Sequence, residues 1–267
     1  MNVPAGAKAA LRRAGVTRKR AAAIRMCCER TVLARIPRAP NPGPRILCYH
    51  GVGTPGWGVN DVSPARFRRQ LETARELGYA FVPASEIAQG RAAPKSLAVT
   101  FDDGLASVAE HAAPILNELC IPWTTFIVAG WADGAHAWGP GVVSGWAEVE
   151  RLAAQGATIG SHSRTHPNFG SLGVAAAAEE LAGSLELIRS RVGISVSEFA
   201  IPFGQSRDWS GAAMAAAAEA GYERVYAQSV DRRWPGTVPR TFITRFDDDR
   251  IFRAALEGRF DRWEEWY

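Results

Sequence analysis

Apolar positions along this chain follow two alternating rhythms. Short runs with the length and the β-branched or aromatic content of strands occur at "RILCYH" (45–50), "YAFVP" (79–83), "LAVTF" (97–101), "PWTTFIV" (122–128) and "ATIGS" (157–161). Three more follow at "EFAIP" (198–202), "RVYAQ" (224–228) and "RTFIT" (240–244). Between them lie segments of helical period. One should open at Ser63 as N-cap, with Pro64 in the first helical position, and stop at Gly78. Others are expected over 105–119, 144–155 and 210–220. The Ala-rich run "GVAAAAEELAGSLELIRSRVG" places Leu181, Leu185 and Ile188 on one face. Seven or eight strands separated by helices predict an α/β fold, a parallel sheet with helices outside it. Chain length and the lack of a Gly-rich dinucleotide fingerprint favour a barrel over a doubly wound sheet. In a barrel the chemistry sits at the carboxyl ends of the strands.

Composition adds little to this picture, and charge adds more. With 47% apolar and 22% charged residues, the 267-residue chain is ordinary globular material. Residues 1–41 hold ten Lys and Arg against the single acid Glu29. That +9, against +4 for the whole chain, leaves −5 for the rest. The Pro-rich "RAPNPGPR" (38–45) then divides a basic arm and linker, residues 1–44, from a domain spanning 45–267. The arm is interrupted by Arg every few residues, so it does not read as a secretory signal, and no eighteen-residue apolar run predicts a spanning helix. A cytoplasmic protein is expected, whose basic, helix-prone arm either lies on the anionic inner face of a membrane or stays solvated. Cys27, Cys28, Cys48 and Cys120 lack metal-ligand spacing and are too few for a disulfide framework, which predicts reduced thiols. The acidic body argues against nucleic acid as a partner.

The candidate chemistry lies at strand ends. "TFDDG" closes the third expected strand with Asp102 and Asp103, and "GSHSRTHPNF" follows the fifth with His162 and His166. Each taken singly has an ordinary use, an Asp as helix cap or a His as hydrogen-bonded loop residue. Together they read differently. Two imidazoles four apart, sharing a face if the segment coils into a helical turn, plus one carboxylate make an open zinc-type site. Such a cation makes hydroxide available near neutral pH, and the second Asp can take the proton from water.

"TFDDG", "HSRTH" and "FAIPFG", with "CYHGV" before them, resemble the polysaccharide deacetylase family, also called the NodB-homology or carbohydrate esterase 4 family. The likeness runs from about Ile46 to Arg250, and "FAIPFG" is similar to a "FAYPxG" branch. The resemblance implies a distorted (β/α) barrel of NodB type and metal-dependent removal of acetyl groups from sugars. It implies Asp103, His162 and His166 as ligands of a divalent metal such as zinc, Asp102 as general base, and Phe203 as backbone donor to the oxyanion. Ser163 occupies the motif's hydroxyl position. The family's base-orienting Arg is replaced here by Ala200, and Arg240 is the preferred substitute over Arg245. A late His that would protonate the leaving amine is also missing, which leaves His50 as the candidate acid or a structural neighbour of the site. Trp131 and Trp138, in a Gly-rich loop, are candidates for stacking on sugar faces. Trp263, Trp266 and Tyr267 can anchor the tail or mediate a contact. The expected substrate is an acetylated amino sugar in a polysaccharide, a lipid-linked sugar or a smaller precursor. The alternatives are hydrolysis of a non-sugar amide on the same barrel, or carbohydrate binding with weakened turnover.

Overall fold

The computed structural model describes residues 17–37, 39–136, 138–139 and 141–264. Eight strands form one sheet: β1 (Arg45–Tyr49), β2 (Ala80–Phe81), β3 (Ser96–Phe101), β4 (Trp123–Ile127), β5 (Thr158–Ser161), β6 (Glu198–Ala200), β7 (Arg224–Tyr226) and β8 (Thr241–Phe242). Every pairing is parallel, in the order β8-β1-β3-β4-β5-β6-β7, with β2 beside the start of β3. Val238, just ahead of β8, bonds to β7, so the sheet curls towards itself as the barrel reading requires. A second, two-stranded pair joins Gly51–Val52 to Asp61–Val62.

The helices are α1 (Arg18–Leu33), α2 (Pro64–Glu76), α3 (Ala113–Glu118), α4 (Trp146–Ala154), α5 (Val174–Val192), α6 (Gly211–Ala220) and α7 (Asp249–Leu256), with shorter turns between. The Ser63 side chain accepts from Arg66 N–H to start α2, and the helix buries Phe67, Leu71 and Ala74 at helical spacing. Gly193 and Gly221 end α5 and α6 in the left-handed conformation. The helix expected over 105–119 instead begins as a π-turn over Val108–Ala112 and becomes α-helical at Ala113. Pro114 explains the change: it has no N–H, and its ring crowds the carbonyl four residues back.

Two-residue alternation sorts the strands into two layers. Leu47, Tyr49, Leu97, Val99 and Phe101 face outward into the core against α2 and its neighbours. Ile46, Ala98, Phe126, Ala200 and Tyr226 fill the interior. The inward row of β3 therefore reads Ala98, Thr100, Asp102, and that of β1 reads Ile46, Cys48, His50. Apolar filling gives way to polar groups at the carboxyl end.

The basic arm is not detached from the body over its helical part. Arg30 of α1 is wholly buried, donating from Nε and Nη2 to Asp247 at 2.6 and 2.5 Å and from Nη2 to the Phe242 carbonyl at 3.2 Å. Its guanidinium also lies over the Phe260 and Trp263 rings. Charge composition suggested a separate arm because it cannot show that one Arg has a buried acid waiting for it 217 residues later. Trp263 anchors the tail by packing, stacked on Phe242 and donating to Glu29. Residues 1–16 of the arm, Trp266 and Tyr267 lie outside the described residues.

Candidate active site

Asp102 extends β3 by one more ladder bond, its N–H donating to the Tyr49 carbonyl at 3.0 Å. Asp103 then takes a left-handed backbone, φ 71°. That reversal is how two successive carboxylates reach one site when strand alternation would separate them. Ser163, His166 and Phe203 also have positive φ, so four of the six such non-glycine residues among those described stand here. Such backbone persists only where the surrounding structure holds what the residue alone disfavours, and it clusters at functional sites.

The turn from His162 to His166 is not helical, contrary to the spacing argument. Left-handed residues at Ser163 and His166 bend it, and the Ser163 hydroxyl accepts from His166 N–H at 2.9 Å. Ala129 and Gly130 donate to the Ser163 and Arg164 carbonyls from the other side. Glu180 of α5 accepts from the Arg164 and Thr165 amides at 3.0 and 2.8 Å and from the Thr165 hydroxyl at 2.7 Å. The two imidazoles converge through this scaffold rather than through helical periodicity.

Asp103, His162 and His166 each present a ligand atom, all within 4.8 Å of one another. Each His Nε2 lies about as far from Asp103 Oδ1, 3.5 Å for His162 and 3.4 Å for His166. His162 Nδ1 is 2.8 Å from the Ala200 carbonyl, which fixes the proton there and leaves Nε2 as the free electron pair. Trp57 Nε1 donates to Asp103 Oδ2 at 3.1 Å, leaving Oδ1 directed at the imidazoles. This donor set and spacing fit a divalent cation of the zinc type.

Burial would raise the Asp103 pKa, but His162, His50 and His166 hold it well below the usual carboxylate range. Burial also lowers His162, yet Asp102 and Asp103 outweigh it and raise that pKa. Burial and neighbouring His162 push His166 down to about 4, so its imidazole is neutral near pH 7.

Asp102 is paired with Arg240, whose Nη1 and Nη2 donate to the two carboxylate oxygens at 2.7 Å each. Burial opposes ionisation, and the guanidinium overcomes it, bringing the Asp102 pKa to about 2. Arg240 Nε donates to the Ala227 carbonyl, Nη1 reaches Thr100 Oγ1, and the guanidinium lies 5.3 Å over the Phe126 ring. The guanidinium that meets Asp102 thus comes from the entry to β8. Arg245 is exposed and does not reach Asp102; its charge acts on Asp61 instead.

His50 is buried beside Phe242 with no partner for Nδ1, and burial lowers its pKa despite the attraction of Asp103 and Asp102. Trp131 stacks on His166 at 5.3 Å, and Trp138 leans on Trp57 and Trp131 with 46% of its surface exposed. The half-exposed Phe203 ring closes on His166 from another side at 4.7 Å. A Cβ on Gly204 would run into Gln228, which is why a glycine follows Phe203.

Sequence reasoning missed Trp57, Glu180 and Cys48, whose thiol lies 3.4 Å from Asp102 Oδ2. Trp57 had a readable signal, a tryptophan between glycines in the loop after a site strand. Glu180 had none, since one acid among several on a helix surface does not announce what it faces.

The sequence profile of the polysaccharide deacetylase family matches residues 89–225. No curated protein sequence matches the chain. Among solved structures, the deacetylase PplD of Streptococcus pyogenes in complex with acetate is similar, at 19% identity and a TM-score of 0.68, over 82% of this chain and 99% of that one. IcaB from Ammonifex degensii is similar at 24% identity and TM-score 0.69, over 82% and 98%. A polysaccharide deacetylase from Bacillus cereus is similar at 21% identity and TM-score 0.66, over 80% and 68%. At these identities the likeness is one of fold, the curled parallel barrel.

Proposed function

The chain belongs to the polysaccharide deacetylase family, and from that premise we propose that it is a hydrolase removing the acetyl group from an acetylated amino sugar with the help of a divalent cation. The observation that carries the reading is the convergence of Asp103, His162 and His166 within 4.8 Å beside a carboxylate that is kept ionised by Arg240.

Asp103 and the two Nε2 atoms would hold the cation. When bound, a divalent cation such as zinc lowers the pKa of a water ligand and polarises the acetyl carbonyl. Asp102 accepts the proton of the attacking water. Oδ2 is engaged by Arg240 and the Cys48 thiol, but Oδ1 keeps a lone pair beyond the one Arg240 engages, so pairing does not block the role. Arg240 orients that carboxylate and prevents its protonation at rest. The Phe203 N–H, turned by its left-handed backbone, donates to the developing oxyanion. His50 stands inside the barrel with an unpartnered Nδ1 and relays a proton towards the leaving amine. Trp131 and Trp138 offer faces on which a sugar ring can stack.

The test is acetate release from a panel of soluble N-acetylated sugar oligomers, before and after chelation and after zinc is restored. The expected result is turnover that chelator abolishes and metal recovers. Turnover of a non-sugar amide with none of any sugar would overturn the substrate assignment. Metal content of the His162→Ala variant, read by elemental analysis, tests the ligand set independently of activity.

A further inference from the structure

We propose that the outer face of α1, with the cleft at its carboxyl end, is a docking surface for an anionic phospholipid bilayer. The surface uses none of the site residues and stands or falls apart from the deacetylase reading. Helix α1 is two-faced. Met26 and Arg30 point into the body, where Arg30 meets Asp247 and the Phe242 carbonyl. On the opposite side, Ile24, Cys28 and Val32 recur at four-residue spacing and form one exposed stripe. Ile24 and Val32 expose 59% and 57% of their surface, and Ile36, just past the helix, exposes 50%. Three of the six large apolar residues exposed among those described therefore lie on this helix or just past its end.

The charge around that stripe is one-sided. Arg20 and Arg25 flank it within the helix, Arg35 follows it, and the only acid of residues 1–41, Glu29, is engaged by Arg25 and Trp263. Beside Ile36 the stripe runs into a cleft of about 360 Å³ lined by Leu33, Ile36, Trp263, Arg259 and Arg262, the two arginines being paired with Glu257 and Asp231. Apolar floor and cationic rim are the chemistry of an acyl chain below a phosphate. The remaining chain is net −5, so an anionic surface attracts this end of the molecule and repels the other. Apolar insertion and electrostatic attraction are separately weak signals for a surface helix, and both are present here. Because α1 is clamped to the body by Arg30, docking would hold the whole barrel at the membrane in one orientation.

Deleting the segment would remove Arg30 from its buried partner, so the test uses point variants of the full chain. Binding is read by cosedimentation with vesicles of phosphatidylglycerol and phosphatidylcholine, against vesicles of phosphatidylcholine alone, at rising NaCl. The wild type should bind the anionic vesicles only, and salt should weaken it. The Ile24→Asp/Val32→Asp variant should lose at least about tenfold in partitioning, and Arg35→Glu should steepen the loss. Circular dichroism and turnover of a soluble substrate should stay at wild-type values, because both substituted positions are solvent-facing. Failure of the wild type to bind, or equal binding by the double variant, would overturn the proposal. So would a wild-type dimer that the variant converts to monomer, which would assign the stripe to a second copy of this chain.

Discussion

The two adjacent acids differ in their surroundings rather than in their chemistry. Asp102 faces a guanidinium and Asp103 faces imidazoles, and only the left-handed φ at Asp103 puts them in one site. Asp102→Asn should keep its metal and lose on the order of 10²–10⁴-fold in turnover, whereas Asp103→Asn should lose metal affinity first. Elemental analysis and acetate release, run on both variants, separate these outcomes. Retained turnover with lost metal in Asp102→Asn would exchange the roles. Arg240→Lys keeps a charge but cannot make two parallel bonds, so kcat should fall about tenfold or more with KM little changed. The identities of these residues were legible because the motif spacing isolates them. Arg240 was legible only as one of two candidates, since nothing local tells which end of β8 points inward.

At the scale of elements, turns and packed helices decide what the strands merely aim. Glu180 of α5 holds three donors of the His162–His166 turn. Glu180→Gln replaces charge-assisted bonds with neutral ones, and metal affinity should fall about 10–100-fold, as for other groups that orient a ligand. A titration with zinc in competition with a chromogenic chelator reads this directly, and unchanged affinity would make Glu180 a passive surface acid. On β6, Glu198 is buried with one oxygen on the Tyr226 hydroxyl and the other unpartnered, and burial raises its pKa above 4.5. The folded state then binds the proton more tightly than the unfolded chain. Stability contributed by the protonated group is present below pH 4.5 and is lost as pH rises through the folded pKa. Glu198→Gln should remove that part of the slope in denaturant unfolding measured from pH 4 to 8, and an unaltered slope would assign it elsewhere.

Across the whole molecule, α1 belongs to the barrel's support. Its Arg30 binds the loop after β8, the strand entered through Arg240, so the helix buttresses the Asp102 pair at one remove. Removing residues 1–34 would strip Asp247 of its counter-charge and uncover the apolar surface beneath α1, a loss on the order of 3–5 kcal/mol. Thermal unfolding of the truncated protein should fall by on the order of 10 °C, and an unchanged midpoint would show that α1 docks without supporting the fold. Alternating strand and helix patterns announced the parallel barrel, because burial on one face or two imposes a period that survives in the sequence. The clustering of Asp103, His162 and His166 beside Asp102 was legible for a similar reason: rare residue types at fixed distances from strand ends. Tertiary structure alone decided that Arg240 rather than Arg245 meets Asp102, that Glu180 holds the histidine turn, and that Arg30 draws α1 onto the body. Each of these joins a charged side chain to a partner outside its own local segment, and no local pattern encodes it, because a charged side chain looks the same in sequence whether water or a buried partner satisfies it.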